Sequence, residues 1–438
     1  MTARIEKYLR KKADLDTRPL VAGPLDGIDQ VVVIPVRAER DYLFETLDSL
    51  AANPAAGRAR TLVICVVNNA PPSLAPETAA DNREALARLD ALVRQPGGLR
   101  LAYVDASSPG REFGAKEGVG LARKIGLDFG LHVMHRAGAT RPLLLSLDAD
   151  TLVEPGYLAA VRTHFETHDA HAAVVAFAHR LGDPAHHDLA AAIVCYELSL
   201  RYYVLGLAYA GSPYAFHSVG STMVCTGDAY ASVSGMNRRQ GGEDFYFLQQ
   251  LAKTGGVGRI HSTTVHPSPR PSARVPFGTG PRVRRFLDGR QDEYLVYHPA
   301  CFEVIKGLIE LIEAGPARDA APILADADAV HPLLKAFLDA NGFGDTWGRL
   351  QRNAAGPRAL VAQFHCWFDG FRTLKLIHFL RDHAFPQQDM FQAIARMLEI
   401  AHHDSAETGR TPLRDDLPAQ IALLERLRAL ERPACEQV

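Results

Sequence analysis

Short apolar runs alternate with helical patterns through the first 150 residues or so, and this alternation limits the fold more than any other feature of the chain. Four runs have the length and composition of buried strands. They cover residues 31–36, 62–67, 99–104 and 143–147. Because helical spacing of apolar residues separates them, we expect right-handed crossovers between parallel strands. The predicted fold class is therefore α/β, with a Rossmann-like, mostly parallel mixed sheet and helices on both faces.

Two carboxylates follow the fourth run, in the order Asp148-Ala149-Asp150. Side chains two residues apart on a strand point the same way, and ligands of open α/β sheets bind at the carboxyl ends of the strands. Asp148 and Asp150 are therefore expected to converge at one point, where their oxygens would suit Mg²⁺ or Mn²⁺. The alternative is a simple turn, in which an aspartate ends the strand and caps the next helix.

Three further polar segments are candidates for the same site. Asn68 follows the second apolar run. Glu243 and Asp244 begin a helical pattern, where favourable interaction with the helix dipole is the alternative explanation. The stretch 266–280 is rich in proline and glycine, and its Arg270 and Arg274 could neutralise phosphates unless it is only a solvated basic loop.

Charge and cysteine content limit the partners and the compartment. The chain has 48 basic and 50 acidic residues, so nothing in its charge predicts a nucleic-acid partner. Its 6 cysteines are scattered without a C-x-x-C pair, which predicts buried thiols in a reducing compartment. The first 18 residues are charged and lack the apolar segment of a signal peptide. We therefore expect a cytoplasmic protein.

Length and pattern predict more than one domain. A chain of 438 residues exceeds one ordinary domain. We predict an N-terminal helical extension over 1–28, an α/β domain over 29–297 and an all-helical region over 298–438, whose helices are a candidate homodimer surface. The apolar stretch 190–210 contains Glu197 and Arg201, so we interpret it as a buried or interfacial helix that allows at most peripheral membrane contact.

Three motifs, taken in order, resemble those of the family 2 glycosyltransferases, which have the GT-A fold. They are residues 31–39, Asp148-Ala149-Asp150 and Gly242-Glu243-Asp244. The resemblance covers about residues 28–285 and leaves the helical C-terminal region unexplained. It implies a UDP- or GDP-sugar donor, Mg²⁺ or Mn²⁺ as cofactor, and an acceptor hydroxyl whose identity the sequence does not give.

The resemblance also implies roles for individual residues. Those that it places around the donor nucleotide are Pro35, Arg37, Glu39, Asn68, Lys116 and Arg123. Asn68 stands where the family usually has an aspartate that contacts the base or ribose. Asp148 and Asp150 match the metal-binding pair, with Asp150 as the direct ligand. His266 is the candidate third ligand, with His261 as the alternative.

Asp244 matches the general base of the family, with Glu243 beside it. The leading hypothesis is therefore a metal-dependent, inverting glycosyltransferase in which Asp244 accepts the proton of the acceptor hydroxyl. A retaining glycosyltransferase or a nucleotidyltransferase of related fold is one alternative, although the loop after residue 35 lacks the glycines typical of the latter. A non-catalytic scaffold that binds nucleotide sugars is the other.

The acceptor side is less defined. Aromatic residues that could form a sugar-binding platform, or could equally be core, are Tyr202, Tyr203, Tyr209, Tyr214 and Phe216. His217 is a candidate for lining the acceptor pocket.

Overall fold

The computed structural model describes residues 2–15, 18–69, 76–95, 97–182, 186–272, 277–402 and 412–432. It divides into two compact units. The first contains Met1–Pro184 and Ser218–Arg284, and the second contains Ala185–His217 and Arg285–Arg432.

The first unit is built on a nine-stranded sheet with the strand order β1-β4-β3-β2-β5-β8-β7-β9-β6. The strands are β1 (Leu20–Ala22), β2 (Gln30–Val36), β3 (Thr61–Asn68), β4 (Arg100–Ala106), β5 (Leu143–Ser146), β6 (Leu152–Val153), β7 (Ala172–Phe177), β8 (Met223–Thr226) and β9 (Gly258–His266). The central strands β2 and β3 are buried along almost their whole length, as their continuous apolar runs predict.

Parallel pairing is confined to two parts of this sheet. β4, β3, β2 and β5 run parallel to one another, and so do β7 and β9. The pairs β1–β4, β5–β8, β7–β8 and β6–β9 are antiparallel. The predicted α/β class with a mixed sheet is therefore confirmed, but half of the pairs between described strands are antiparallel.

The described residues before position 290 form ten α-helices. They are α1 (Ala3–Lys11), α2 (Arg40–Ala51), α3 (Ala55–Ala59), α4 (Pro76–Val93), α5 (Val119–Arg136), α6 (Tyr157–Thr167), α7 (His187–Tyr209), α8 (Gly227–Ser232), α9 (Glu243–Gly255) and α10 (Thr279–Asp288). Of these, α7 lies in the second unit and α10 crosses the boundary.

The second unit is otherwise helical apart from one short strand pair. Its further elements are β10 (Leu295–Val296), α11 (Ala300–Ala314), α12 (Ala320–Val330), α13 (Pro332–Ala340), α14 (Phe343–Asn353), α15 (Pro357–Trp367), α16 (Gly370–His383), β11 (Gln388–Asp389), α17 (Met390–Ile400) and α18 (Leu417–Leu430). The strands β10 and β11 pair antiparallel. The predicted helical character of the C-terminal region is confirmed.

Helix α7 is the long apolar segment for which we predicted burial. It is the one described helix that is long and apolar enough to cross a membrane, and 67% of its most apolar window is buried inside the protein. It contacts α11, α17 and α18. Its charged residues are paired, because Glu197 accepts hydrogen bonds from Arg201 at 2.7 Å and from Arg428 on α18 at 2.7 Å. These contacts are those of a core helix of the second unit.

The same unit contains the aromatic residues that we considered as a sugar platform. Tyr202, Tyr214 and Phe216 are buried. The hydroxyl of Tyr202 donates to the carbonyl of Tyr297 and that of Tyr214 to the carbonyl of His365. His217 lies 2.8 Å from Glu431. These contacts favour the core interpretation for the three buried aromatic residues.

Two segments differ from the predicted domain pattern. Residues 20–22, which we placed in a helical extension, form β1 at the edge of the sheet. Helix α7, which we placed in the α/β domain, belongs to the second unit. For α7 the local sequence gave the type of element but not its partners, whereas for residues 20–22 it gave neither. None of the described cysteines forms a disulfide, and four of them, Cys65, Cys195, Cys225 and Cys301, are buried; Cys435 lies outside the described residues.

A buried polar cluster fastens α1 to α5 and α8. Tyr8 on α1 donates to Asp128 at 2.6 Å, and Lys124 donates to both Tyr8 and Asp128 at 2.8 Å. Tyr230 on α8 also donates to Asp128, at 2.8 Å. Burial raises the pKa of Tyr8 well above its ordinary value, so its hydroxyl remains protonated. The charges of Lys124 and Asp128 therefore compensate each other inside the unit.

Helix α5 approaches β2 closely because glycines form its contact face. A Cβ on Gly130 would lie 2.7 Å from Val31 Cγ1, and a Cβ on Gly126, one turn earlier, would overlap Val33 Cγ1. Residues four apart lie on the same face of a helix, so the two glycines together allow the helix to rest on the strand. Valine is stiff and fully buried here, and it cannot turn away.

We expect Gly126→Ala to lower the free energy of unfolding by about 1–3 kcal/mol, because the added methyl group overpacks the contact between α5 and β2. Urea unfolding measures the effect. Gly156→Ala is the control in the same unit, because a Cβ there meets no described atom within 4 Å, and it should change the free energy by less than about 0.5 kcal/mol. Equal effects of the two substitutions would contradict the packing argument.

Candidate active site

A buried arginine on α5 joins the polar ends of two other elements. Arg123 Nε donates to Glu243 Oε1 at 3.0 Å, and its Nη2 donates to Asp148 Oδ1 at 2.6 Å. Its Nη1 contacts the hydroxyl of Ser146 on β5. The side chain is only 3% exposed. Burial lowers the pKa of Arg123, but the carboxylates of Asp148 and Glu243 raise it by a larger amount. The net pKa lies above its ordinary value, so the guanidinium remains charged.

Both carboxylate oxygens of Asp148 have a partner. Oδ1 accepts from Arg123, and Oδ2 accepts from the hydroxyl of Ser221 at 2.6 Å. Burial raises the pKa of Asp148, but Arg123 and Ser221 lower it by more, so it lies below its ordinary value. Gly220 makes this arrangement possible, because a Cβ there would overlap Arg123 Nη2. Asp148 is therefore an ionised carboxylate in a fixed orientation.

A second arginine holds Asp150. Arg270, which follows β9, donates through Nε to Asp150 Oδ2 at 2.7 Å and through Nη2 to Glu39 Oε2 at 2.5 Å. Its guanidinium carbon lies 4.1 Å from the ring centroid of Tyr42 on α2. Burial lowers the pKa of Arg270, but Asp150 and Glu39 raise it above its ordinary value. This arginine is 17% exposed, so it is more accessible than Arg123.

The start of α9 brings two carboxylates next to the Arg123 cluster. Gly242 adopts a left-handed conformation (φ 68°) before the helix, and Glu243 is buried on Arg123. Asp244 accepts from the backbone N–H of Phe245 at 2.7 Å. Burial and the adjacent charge of Glu243 raise the pKa of Asp244 to about 7, against the opposing effects of the Phe245 N–H and Arg123. Asp244 is thus a carboxyl that gains and loses its proton near neutral pH.

The remaining predicted nucleotide residues lie in several places. Asn68 ends β3, and its amide nitrogen donates to the carbonyls of Val36 and Val66 at 3.0 and 3.2 Å, which ties it to the end of β2. Pro35 lies within β2 and Arg37 directly after it, both half-buried. Lys116 is exposed in the loop before α5. Arg274 lies outside the described residues.

The predicted third metal ligand has other neighbours. His266 ends β9 with Nε2 3.7 Å from Glu154 Oε1 and Nδ1 3.1 Å from the carbonyl oxygen of Ala178. Within the described ranges, no group of three or more His, Cys, Asp or Glu side chains could hold a metal ion. The structure therefore does not bring His266 together with Asp148 and Asp150 as a complete set of protein ligands.

The carboxylates present nevertheless fit one type of metal. Mg²⁺ is commonly held by one or two carboxylates, with phosphate oxygens and water as its other ligands. Asp150 has this character, because it is a half-buried carboxylate and, among the described residues, Arg270 engages one of its oxygens. Asp148 contributes charge, but its two oxygens are engaged by Arg123 and Ser221.

Sequence reasoning missed four contributors to this site. Ser146 precedes Asp148 by two residues, so a polar residue on the same side of an apolar strand could have indicated it. Ser221 and Gly220 lie in a glycine- and serine-rich segment that gives no local indication of their partner. Tyr42, below Arg270, is one of the apolar-periodic residues of α2 and resembles an ordinary core residue.

Comparisons with known proteins bear on this geometry. Residues 143–288 match the model of the glycosyl transferase family group 2. No curated protein matches the chain.

Several solved structures align with low similarity. S. aureus TarS 1–349 in complex with UDP-GlcNAc aligns with 12% identity and a TM-score of 0.38, over 92% of this chain and 90% of that chain. The mannosyltransferase PcManGT from Pyrobaculum calidifontis in complex with GDP-Man and Mn²⁺ aligns with 17% identity and a TM-score of 0.35, over 86% and 90%. GalNAc-T7 with UDP, GalNAc and Mn²⁺ aligns with 14% identity and a TM-score of 0.35, over 69% and 54%. These TM-scores are too low to support a statement about this chain.

The matched segment contains β5, both carboxylates that follow it, the start of α9 and Arg270. It therefore covers most of the residues that Arg123 and Arg270 hold together. The mixed sheet followed by helices confirms the predicted α/β class, and the match falls within the segment that we expected to have the GT-A fold. Residues 143–288 are similar to the glycosyl transferase family group 2, and this match supports a glycosyltransferase.

Proposed function

We propose that this protein acts as a glycosyltransferase that moves a sugar from a UDP- or GDP-sugar to an acceptor hydroxyl with inversion at the anomeric carbon, using Mg²⁺ or Mn²⁺ as cofactor. The observation that carries the proposal is the position of the Asp244 carboxyl at the start of α9, next to the cluster in which Arg123 holds Asp148 and Glu243. Burial and the charge of Glu243 raise the pKa of Asp244 to about 7. A general base works best when its pKa lies near the working pH, and most aspartates are too weak as bases to meet that condition.

Asp244 would accept the proton of the acceptor hydroxyl as that oxygen attacks the anomeric carbon. The bond from the anomeric carbon to the diphosphate oxygen breaks in the same step, and the nucleoside diphosphate leaves. Glu243 is held by Arg123 at 3.0 Å. This arrangement supports a division of roles in which Glu243, together with burial, raises the pKa of Asp244 and Asp244 moves the proton.

The departing diphosphate gains negative charge, and positive groups near it stabilise the transition state. When bound, a divalent metal supplies such charge as a Lewis acid. Asp150 would hold it, while Asp148 is kept ionised by Arg123 and Ser221. Arg270, which pairs with Asp150 in this structure, is a second positive group close enough to interact with the diphosphate.

Calorimetric titration with UDP and GDP, with and without Mn²⁺, tests the donor and metal parts of this proposal. We expect binding of at least one of the two nucleotides, with an affinity that Mn²⁺ increases. A screen of donors and acceptors read by mass spectrometry then identifies the reaction, and NMR of the anomeric carbon of the product distinguishes inversion from retention. If neither nucleotide bound under any condition, the proposed donor class would be wrong.

Asp244→Asn should preserve nucleotide binding but reduce transfer by a factor of about 10²–10⁴, because the amide cannot accept the hydroxyl proton. The measurement is kcat for transfer, together with nucleotide affinity as the control for an intact site. A variant that transferred sugar at the normal rate would exclude Asp244 as the base.

The pH dependence of transfer should follow the protonation of Asp244. Since only the ionised carboxylate acts as a base, kcat/KM should fall about tenfold per pH unit below the pKa of about 7 and reach a plateau above it. Glu243→Gln removes a neighbouring negative charge that raises this pKa, so it should shift the falling limb to lower pH. A limb that stayed in place in Glu243→Gln would show that another group controls the profile.

A further inference from the structure

The two arginines at the site are held in different ways. Arg123 has three partners, two at the end of β5 and one at the start of α9, and is almost inaccessible to solvent. Arg270 lies on the segment after β9, is partly exposed and bridges two carboxylates. A guanidinium that is enclosed on all sides cannot change partners without disrupting the core, whereas one at an accessible edge can.

One of the two carboxylates that Arg270 bridges is Asp150, the residue that we expect to bind the metal. Arg270 Nε lies 2.7 Å from Asp150 Oδ2. A divalent cation bound to Asp150 would be repelled by a guanidinium at this distance, because both are positive. The ion pair and the metal are therefore in competition for the same carboxylate.

Arg270 can leave Asp150 only if another anion receives it. Glu39 already accepts from its Nη2, so moving entirely to Glu39 would leave the Nε donor without an acceptor in a partly buried place. A diphosphate offers several anionic oxygens with the spacing that a guanidinium can contact with two donors at once. The stacking of Arg270 on Tyr42 would keep the side chain near the site during such an exchange.

We propose that Arg270 is an exchangeable counter-ion of Asp150 that makes metal binding depend on the nucleotide. Without nucleotide, Arg270 occupies Asp150 and the protein has low affinity for the free metal. When a nucleoside diphosphate binds, Arg270 transfers its hydrogen bonds to the diphosphate oxygens, and Asp150 becomes available to the metal that accompanies it. This inference rests on the proposed nucleotide-sugar donor. It adds that the nucleoside diphosphate must engage Arg270 before Asp150 can bind the metal.

The exchange would have a functional use. A divalent metal bound alone would give the group of Arg270, Asp150 and Glu39 a net positive charge that attracts any phosphate, whereas without the metal the same group carries one net negative charge. Only a ligand with a diphosphate of sufficient charge can draw Arg270 away, because a single weak anion competes poorly with two carboxylates. Arg270 thus contributes to selection of the donor before any chemistry occurs.

The test measures the affinity of the full-length protein for Mn²⁺, with electron paramagnetic resonance of free Mn²⁺ as the readout, before and after addition of UDP or GDP. Arg270→Gln should bind Mn²⁺ alone about 10- to 100-fold more tightly than the unchanged protein, because one charge-assisted hydrogen bond no longer competes. It should also gain less Mn²⁺ affinity when the nucleotide is added.

The matched control is Arg180→Gln. Arg180 donates to the backbone carbonyl of Asp150 at 3.3 Å, so its loss removes a positive charge from the same neighbourhood but leaves the carboxylate paired. It should change the Mn²⁺ affinity much less than Arg270→Gln. Arg270→Lys keeps the charge but cannot bridge two carboxylates in the same way, and it should give an intermediate affinity. Asp150→Asn added to Arg270→Gln should abolish the gain.

Unchanged Mn²⁺ affinity in both Arg270 variants would overturn the exchange, as would equal affinity of the unchanged protein for Mn²⁺ with and without nucleotide. An equal gain of Mn²⁺ affinity in Arg180→Gln would also overturn it, because loss of any nearby positive charge would then explain the effect. Failure of the proposed function is a separate result, recognised when neither UDP nor GDP binds to the unchanged protein. Near-ultraviolet circular dichroism verifies that each variant is folded.

Discussion

The candidate active site depends on one buried charge, the guanidinium of Arg123. Placing a guanidinium in a protein interior costs several kcal/mol unless carboxylates surround it. Arg123 meets this condition through Asp148 and Glu243, which come from the end of a strand and the start of a helix that are far apart in the sequence. Because the guanidinium has a planar and fixed set of donors, the positions of both carboxylates follow from it. Electrostatic attraction as well as packing therefore fixes the end of β5 and the start of α9 next to each other.

This constraint separates the two aspartates of the Asp148-Ala149-Asp150 motif. They are alike in chemistry and only two residues apart. Within the described part of the chain, Arg123 and Ser221 engage the carboxylate of Asp148, and Arg270 engages that of Asp150. Asp148 is therefore fixed at both oxygens and Asp150 at one, so the two aspartates are held to different degrees.

Local patterns predicted the strands well because a buried strand needs a continuous apolar run, as residues 31–36 and 62–67 show. They also located Asp148, Glu243 and Asp244, since polar residues at the ends of such elements stand out. Pairing direction was less predictable, because parallel and antiparallel neighbours of β5 place the same demands on its side chains.

Contacts between residues far apart in the sequence were the other feature that could not be predicted from the sequence. That Arg123 binds Ser146 and Asp148, and that Ser221 binds Asp148, depends on tertiary structure that no local pattern encodes. The candidate ligand His266 was suggested by the resemblance alone, and the structure gives it Glu154 as its neighbour. Helix α7 likewise has an apolar composition that predicts burial, but its partners α11, α17 and α18 follow only from the folded unit.

Helix α5 also connects the candidate active site to the first helix of the chain. Its consecutive residues Arg123 and Lys124 belong to two separate clusters, one around Asp148 and Glu243 and one that fastens α1 through Tyr8. Glycines seat this helix directly on β2, so its position is closely defined by packing. The contacts that hold the first helix therefore begin at the residue next to the arginine that holds Asp148.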